Sequence, residues 1–327
     1  MARTVKSSYE LSMNLVSCCK RYFLSSLIVV FTLSVSAQPS NTIFGGGYSA
    51  PVPLYVAPGH IINLYAQGVG GKLTGPVGAT GFPLPTVLAG ISVTLSQLGT
   101  TEPVPLLSVR PVPSCVSPLP SCGSYVELTV QIPFDLYTDG GTRPPAIAFL
   151  AVSENGIAGG AIQLGPQASR VHVLAITRAD GSAINFQRPV HVGEELVMYA
   201  VGLGTTTPAV PMGEATPNSA PRTTESFQLN FDYRPNAPPS GNYAYAGTCP
   251  SPVCDAIQHP VFTGLTPGFA GLYQVNFIVP QLPTDTPACN YYVGPTGFQV
   301  NSNLTVTLVG RTSIDGAGIC VDTGAGS

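Results

Sequence analysis

The chain has no tryptophan, and its three lysines are Lys6, Lys20 and Lys72. Charged residues make up 9% of it, against about 25% in ordinary soluble proteins. A reader of nucleic acid needs a basic stripe to neutralise phosphates, and an anionic membrane surface asks for the same. Neither partner is expected. Long apolar runs are also scarce. The sustained one is Tyr22–Val35, "YFLSSLIVVFTLSV", short for a transmembrane helix. Long helices have little room, because 36 glycines and 33 prolines punctuate 327 residues. Proline removes a backbone donor and glycine costs entropy, so many short strands joined by turns are expected.

Lys20 and Arg21 precede the apolar run, and Val35-Ser36-Ala37 follows it as a small-residue cleavage site. This pattern predicts a signal peptide over residues 1–37, with an uncleaved anchor as the alternative. Met13 offers a second possible start. The chain beyond residue 37 carries 9 basic and 15 acidic residues, a net charge of about −6 at pH 7. It is expected to be secreted or held in the cell envelope, with no membrane span after processing.

Six cysteines remain after residue 37: Cys115, Cys122, Cys249, Cys254, Cys289 and Cys320. An even number in an exported chain points to disulfides. Proximity suggests Cys115–Cys122 and Cys249–Cys254, and elimination leaves Cys289–Cys320. A zinc site would want CxxC pairs or grouped histidines. Here the spacings are longer, and His60, His172, His191 and His259 are scattered. No metal and no cofactor is expected.

The sequence repeats itself. "PGHIINLYAQGVG" at 58–70 matches "VGEELVMYAVGLG" at 192–204, aligning Gly59 with Gly193, Tyr65 with Tyr199, Gly68 with Gly202 and Gly70 with Gly204. "LTVQIP" at 128–133 matches "VNFIVP" at 275–280, and "GAIQL" at 160–164 falls against "LTVTL" at 304–308. The offset between copies grows along the chain, which places extra loop in the second copy around "NAPPSGNYAYAGTCPSPVC". Two copies of one unit explain the length. The expected partition is a signal peptide (1–37), a linker (38–47), two immunoglobulin-like β-sandwich domains (48–170 and 171–312) and a C-terminal tail (313–327).

Within each copy, "HIINLYAQ", "SVTLS", "VELTVQI", "IAFLAVS", "AIQL", "ELVMYAVG", "FQLNFDY", "YQVNFIV" and "LTVTLVG" are short and rich in β-branched and aromatic residues. "YQVNFIVP" should turn Tyr273, Val275, Phe277 and Val279 to one face and Gln274, Asn276 and Ile278 to the other. Pro280 should close the ladder. Phe269, in the preceding "TPGFAG" turn, is expected to tuck against the sandwich edge. Asp180-Gly181 should supply the positive φ angles of a tight hairpin. The fold class expected is all-β: two tandem immunoglobulin-like β-sandwiches after a signal peptide.

"GLTPGFAGLYQVNFIVP" (264–280), "MYAVGLGTTTPAVPMGEATP" (198–217) and "PLPTVLAGISVTL" (83–95) together resemble one family. It is the tandem Ig-like repeat family of exported acidobacterial proteins, the Solibacter-type C-terminal domain, itself similar to IPT/TIG-type domains. The resemblance is strong over roughly 185–312 and looser over roughly 48–170, and the cysteine-bearing loops and the tail depart from it. It implies an exported β-sandwich and brings no catalytic residues.

Motifs for chemistry are sparse. "GVGGKLTG" (68–75) has Leu73 after Lys72, where a phosphate loop needs Ser or Thr and a following helix. "GYSAP" (47–51) lacks the closing glycine of a nucleophile elbow. Glu194 and Glu195 are neighbours on a strand, so they should face opposite ways and solvate separately. Asp135, Asp139 and Asp285 follow the matched strands and could bind calcium weakly. Asn303-Leu304-Thr305 is a glycosylation sequon at a strand start. Tyr233, Tyr243 and Tyr245 lie beside the Cys249/Cys254 loop, where tyrosine offers broad contact area at low entropy cost. They are the candidate binding residues, the alternative being packing at the sandwich edge. The function expected is non-enzymatic: adhesion, envelope structure, or recognition of an extracellular glycan or protein. The alternative is a polysaccharide-active hydrolase or its accessory domain, which two facing carboxylates in one cleft would favour.

Overall fold

A computed structural model describes residues 42–46, 54–112, 125–138, 146–232, 257–282, 286, 288–289, 302–308, 311–313 and 317–324. All lie in one compact unit, Pro39–Ser327. The described residues form strands and turns, with no helix. The signal-peptide segment, "GYSAP", Asp139, Asp285, Tyr233, Tyr243, Tyr245, Cys115, Cys122, Cys249 and Cys254 lie outside the described residues.

The first sandwich comprises β1 (Thr42–Gly46), β2 (Leu54–Val56), β3 (Ile61–Gln67), β4 (Val77–Gly78), β5 (Val87–Leu88), β6 (Ile91–Gln97), β7 (Thr100–Val104), β8 (Leu106–Val112), β9 (Tyr125–Gln131), β10 (Ala148–Glu154) and β11 (Ile157–Pro166). One sheet runs β1-β3-β9-β8-β4. The other runs β2-β11-β10-β6-β5, with β7 also on β6. Alternation places Ile62, Leu64, Ala66, Leu128 and Val130 of the first sheet against Ile91, Val93, Leu95, Leu150, Val152 and Leu164 of the second, all buried in one core. Each such Leu or Ile contributes about 1.5–3 kcal/mol through removal from water.

The second sandwich comprises β12 (His172–Arg178), β13 (Glu195–Val201), β14 (Thr206–Thr207), β15 (Arg222–Thr223), β16 (Phe227–Asp232), β17 (Ile257–Gln258), β18 (Phe262–Leu265), β19 (Tyr273–Ile278), β20 (Ser302–Leu308), β21 (Arg311–Thr312) and β22 (Ala317–Ile319). Its sheets are β12-β13-β19-β18-β15-β14 and β17-β16-β20-β21, with β22 also on β20. Its core sets Leu196, Met198, Ala200, Tyr273, Val275 and Phe277 against Phe227, Leu229, Phe231, Ile319 and Val321. The fold is thus two tandem immunoglobulin-like β-sandwiches.

The internal repeat is visible in the pairing. Antiparallel β3–β9 in the first copy recurs as β13–β19 in the second. The parallel contact of β2 with β11 recurs as a parallel bridge between Val190 and Val321. One alignment differs from the sequence reading. "GAIQL" lies in β11, whereas "LTVTL" lies in β20. Glu154 of β10 faces Ile91, and Leu308 of β20 faces Phe227, so β20 answers to β10. The counterpart of β11 is β22, whose short "AGI" carries too little β-branched pattern to announce a strand. The extra loop sits where expected. The two-residue turn Leu98-Gly99 joins β6 to β7, whereas residues 233–256 separate β16 from β17.

Both ends of the sequence partition also change. Thr42–Gly46, inside the expected linker, pairs with β3. Within the expected tail, β22 pairs with β20, and Ile319, Cys320 and Val321 are buried. Cys320 is disulfide-bonded to Cys289 with Cα atoms 5.4 Å apart, which ties this terminal strand to the loop after β19.

"YQVNFIVP" alternates as the residues require: Tyr273, Val275, Phe277 and Val279 are buried, and Ile278 is exposed. Pairing continues to Val279, whose N–H donates to Glu194 O at 2.9 Å, and stops at Pro280. Phe269 is 54% exposed rather than tucked in, because the "TPGFAG" turn is held by its backbone. Gly268 N–H donates to Thr216 O, and Thr216 N–H to Phe269 O. At the 178–182 hairpin only Gly181 takes positive φ (79°), with its N–H donating to Arg178 O. Asp180 instead accepts from the Ser182 N–H at 2.8 Å.

Candidate functional site

Five residues, 167–171, connect the sandwiches, and they are pinned at both ends. Gln167 N–H donates to Val56 O and Arg170 N–H to Gly202 O, each at 2.8 Å. The matched glycines explain the close fit. Gly202 (φ +78°) and Gly204 (φ +87°) lie so near the connection that a Cβ would meet Arg170 O at 2.0 Å and Ala168 O at 2.5 Å. Further bonds cross between the sandwiches. Leu84 N–H donates to Gly213 O, and Gly213 N–H donates to the buried Gln131 Oε1, both at 2.8 Å. Gly271 presses its Cα against the first sandwich, where a Cβ would sit 2.7 Å from Gly59 O. Phe134 lies over Gly59 and packs against the second core.

A cleft of about 310 Å³ opens at this junction. Glu102, Phe134 and Asp135 line it from the first sandwich, and Ala209, Val210 and Met212 from the second. Glu102 is carried by β7, and Phe134 and Asp135 sit on the turn that follows β9, closed by Leu136 N–H to Pro133 O. Burial raises the Glu102 pKa first, and the negative charge of Asp135 raises it further. The cleft thus combines an apolar floor with two carboxylates, one of them disfavoured in its charged form. A group that joins an apolar face to a positive charge would satisfy both halves.

The same junction holds a second constellation. His60 and His172 are buried, with 1% and 0% exposure, and their rings stack at 5.6 Å between centroids. Arg170 lies beside them, its guanidinium 5.5 Å from the centre of the Tyr55 ring. Both ring nitrogens of His60 are buried without a hydrogen-bond partner among the described residues. Burial, then His172, then Arg170 push its pKa well below the ordinary histidine value.

Other sequence candidates take structural roles. Glu194 pairs with Arg178 at 2.8 Å and accepts from His191 N–H at 2.9 Å, while Glu195 accepts from Asn276 at 3.1 Å. Their separate partners agree with neighbours facing apart. Lys72 lies in a turn that no helix follows. Among the described residues, no three His, Cys, Asp or Glu side chains gather to hold a metal ion. No described helix is long and apolar enough to cross a membrane. Asp135 alone of the three loop aspartates is described, and it faces the cleft. Glu102 and Met212 carried no sequence signal, because the cleft joins segments more than a hundred residues apart. Two of the four histidines scattered in sequence, His60 and His172, meet here in space.

No family model matches the chain, and no curated protein matches it. Among solved structures it is similar to the adhesin InvE of Yersinia pseudotuberculosis, at 10% identity and TM-score 0.20, over 86% of this chain and 60% of that one. It is also similar to a chain of the Dpr2 Ig1-Ig2 complex with DIP-Theta Ig1-Ig3, at 13% identity and TM-score 0.19, over 87% and 98%. A third is the C-terminal domain of the AgI/II polypeptide BspA of Streptococcus agalactiae, at 11% identity and TM-score 0.16, over 86% and 99%. At these scores the likenesses carry no argument, and the assignment of two β-sandwiches rests on the sheets described above.

Proposed function

We propose that the protein is an exported, non-enzymatic recognition module of the tandem Ig-like repeat family, and that it binds a glycan bearing free amino groups in the cleft between its sandwiches. The observation that carries this reading is the cleft itself, an apolar floor of Phe134, Val210 and Met212 facing Glu102 and Asp135. A sugar ring offers an apolar C–H face to an aromatic side chain, and a protonated amine offsets the charge that burial and Asp135 disfavour at Glu102. The acidic chain, nearly free of lysine, also suits a weakly basic ligand. Export is supported by the signal-like N-terminus and the Cys289–Cys320 disulfide. The loop carrying Tyr233, Tyr243 and Tyr245 is proposed as a partner contact in its own right, separate from the cleft.

One observation favours a second reading, glycoside hydrolysis. A carboxyl with raised pKa beside another carboxylate is the arrangement of a general acid and its partner. Calorimetric titration with partly deacetylated chitin oligomers, followed by sugar analysis of the mixture, separates the two. Binding without shortened oligomers supports recognition, and chain shortening abolished by Glu102→Gln supports hydrolysis. Neither binding nor shortening overturns the proposal.

A further inference from the structure

The cleft is lined from both sandwiches, and His60 sits at the contact between them. It lies on the turn between β2 and β3, with its N–H donating to Ala57 O and its carbonyl accepting from Ile132 N–H. The second sandwich and its connection close over it from three directions. His172 of β12 stacks on its ring, Gly202 after β13 approaches its Cδ2, and Arg170 adds a positive charge. The charged or titratable groups that act on it are His172 and Arg170, and neither is a carboxylate. An imidazolium at this position has no counter-charge and no acceptor for its two N–H groups among the described residues. A buried charge in that condition is expelled to water whenever the structure allows.

We propose that His60 is a proton-operated lock on the junction: neutral, it permits the two sandwiches to close, and protonated, it drives them apart about residues 167–171 and dissolves the cleft. The lock stands whether or not the cleft binds an amine. The direction follows from linkage. An opened His60 takes a proton at the ordinary histidine value of 6.5, and the closed form takes one only at lower pH, chiefly because of burial. Closure is therefore fully supported above pH 6.5. Below it, the ratio of closed to open falls about tenfold per pH unit until the closed form also protonates. A lone surface histidine would show no such slope, because its pKa is the same in both forms.

Amide hydrogen exchange reads this directly, since the N–H groups of Leu84 and Gly213 bond across the junction. Protection factors, corrected for intrinsic exchange, should fall about tenfold per pH unit below pH 6.5 at these two amides. Those of Leu128 and Val275, deep in the separate sandwiches, should hold. In His60→Gln the two junction amides should lose their pH dependence. Constant junction protection in the native protein overturns the lock, as does an equal fall at Leu128 and Val275, or a slope that survives in the variant. Should His60→Gln fail to fold, the His60 imidazole is titrated by NMR in the native protein. Its protonation must then track the loss of junction protection, and a midpoint elsewhere overturns the proposal.

Discussion

The phenol of Tyr273 donates its hydrogen to the carbonyl oxygen of Gly204. This single bond ties the start of β19 to the end of β13, inside the second core, where Tyr273 is fully buried. Burial also holds the phenol in its neutral form, with its pKa far above the ordinary tyrosine value. Tyr273→Phe should cost about 1–2 kcal/mol, the loss of a buried hydrogen bond with the ring's packing kept. Gly204→Ala should cost more, because a Cβ meets Ala168 O at 2.5 Å on a backbone of positive φ. Thermal melts of the two variants rank them. A Gly204→Ala protein as stable as the native one would contradict the packing described here.

Gly271 gives the junction its own test. An alanine there would place its Cβ 2.7 Å from Gly59 O and 2.8 Å from Ile61 Cδ1. Gly271→Ala should destabilise by about 1–3 kcal/mol and lower protection at the Leu84 and Gly213 amides first. Gly268→Ala, also at positive φ but facing open space, is the control for strain without contact. Hydrogen exchange that reports equal loss in both variants would remove Gly271 from the junction.

On the outer face of the first sandwich, Arg110 grips Glu127 with two bonds, Nε to Oε1 at 2.9 Å and Nη2 to Oε2 at 2.7 Å. Glu127 is buried to 5% exposure, while the Arg110 side chain is 51% exposed. Arg110→Leu should cost about 1–2 kcal/mol, mostly from the carboxylate left behind and reduced by solvent screening on the arginine side. The double variant Arg110→Leu/Glu127→Leu should recover much of the loss. Urea titrations of the four proteins close the cycle, and additive losses would show that the pair is not coupled.

Glu102 predicts a pH-dependent gain. Its carboxyl pKa is raised above 4.5 in the folded protein, so the folded state holds that proton to higher pH than the unfolded chain does. The group is neutral towards stability below pH 4.5 and becomes a liability as pH rises through the raised value. Glu102→Gln should therefore melt higher than the native protein at pH 7 and match it near pH 4. A lower melting temperature at pH 7 would mean that the charged form is stabilised by a partner.

The strands were legible in the residues because burial alternates with the same period as the side chains. Ile62, Leu64 and Ala66 point in, and so do Tyr273, Val275 and Phe277. The repeat was legible for a related reason, since Gly202 and Gly204 mark the close approach to the connection and Gly68 and Gly70 precede them in register. The terminal strand was not, because "AGI" borrows its burial from β20 and from the disulfide at Cys320. Phe269 misled in the opposite sense. Its aromatic character suggested burial, but the turn's shape comes from backbone bonds to Thr216. The cleft and the histidine pair were hidden altogether, since each joins residues from both sandwiches, and no local pattern encodes how two domains meet.

The most direct test of the account is a ¹⁵N NMR titration of the protein at pH 7.5 with partly deacetylated chitin oligomers. The account predicts shifts at the amides of Glu102, Asp135, Val210 and Met212, saturating together and abolished in Glu102→Gln/Asp135→Asn. A fully acetylated oligomer should shift them far less. Equal response to both oligomers, shifts confined to other surfaces, or an unchanged response in the double variant would contradict it.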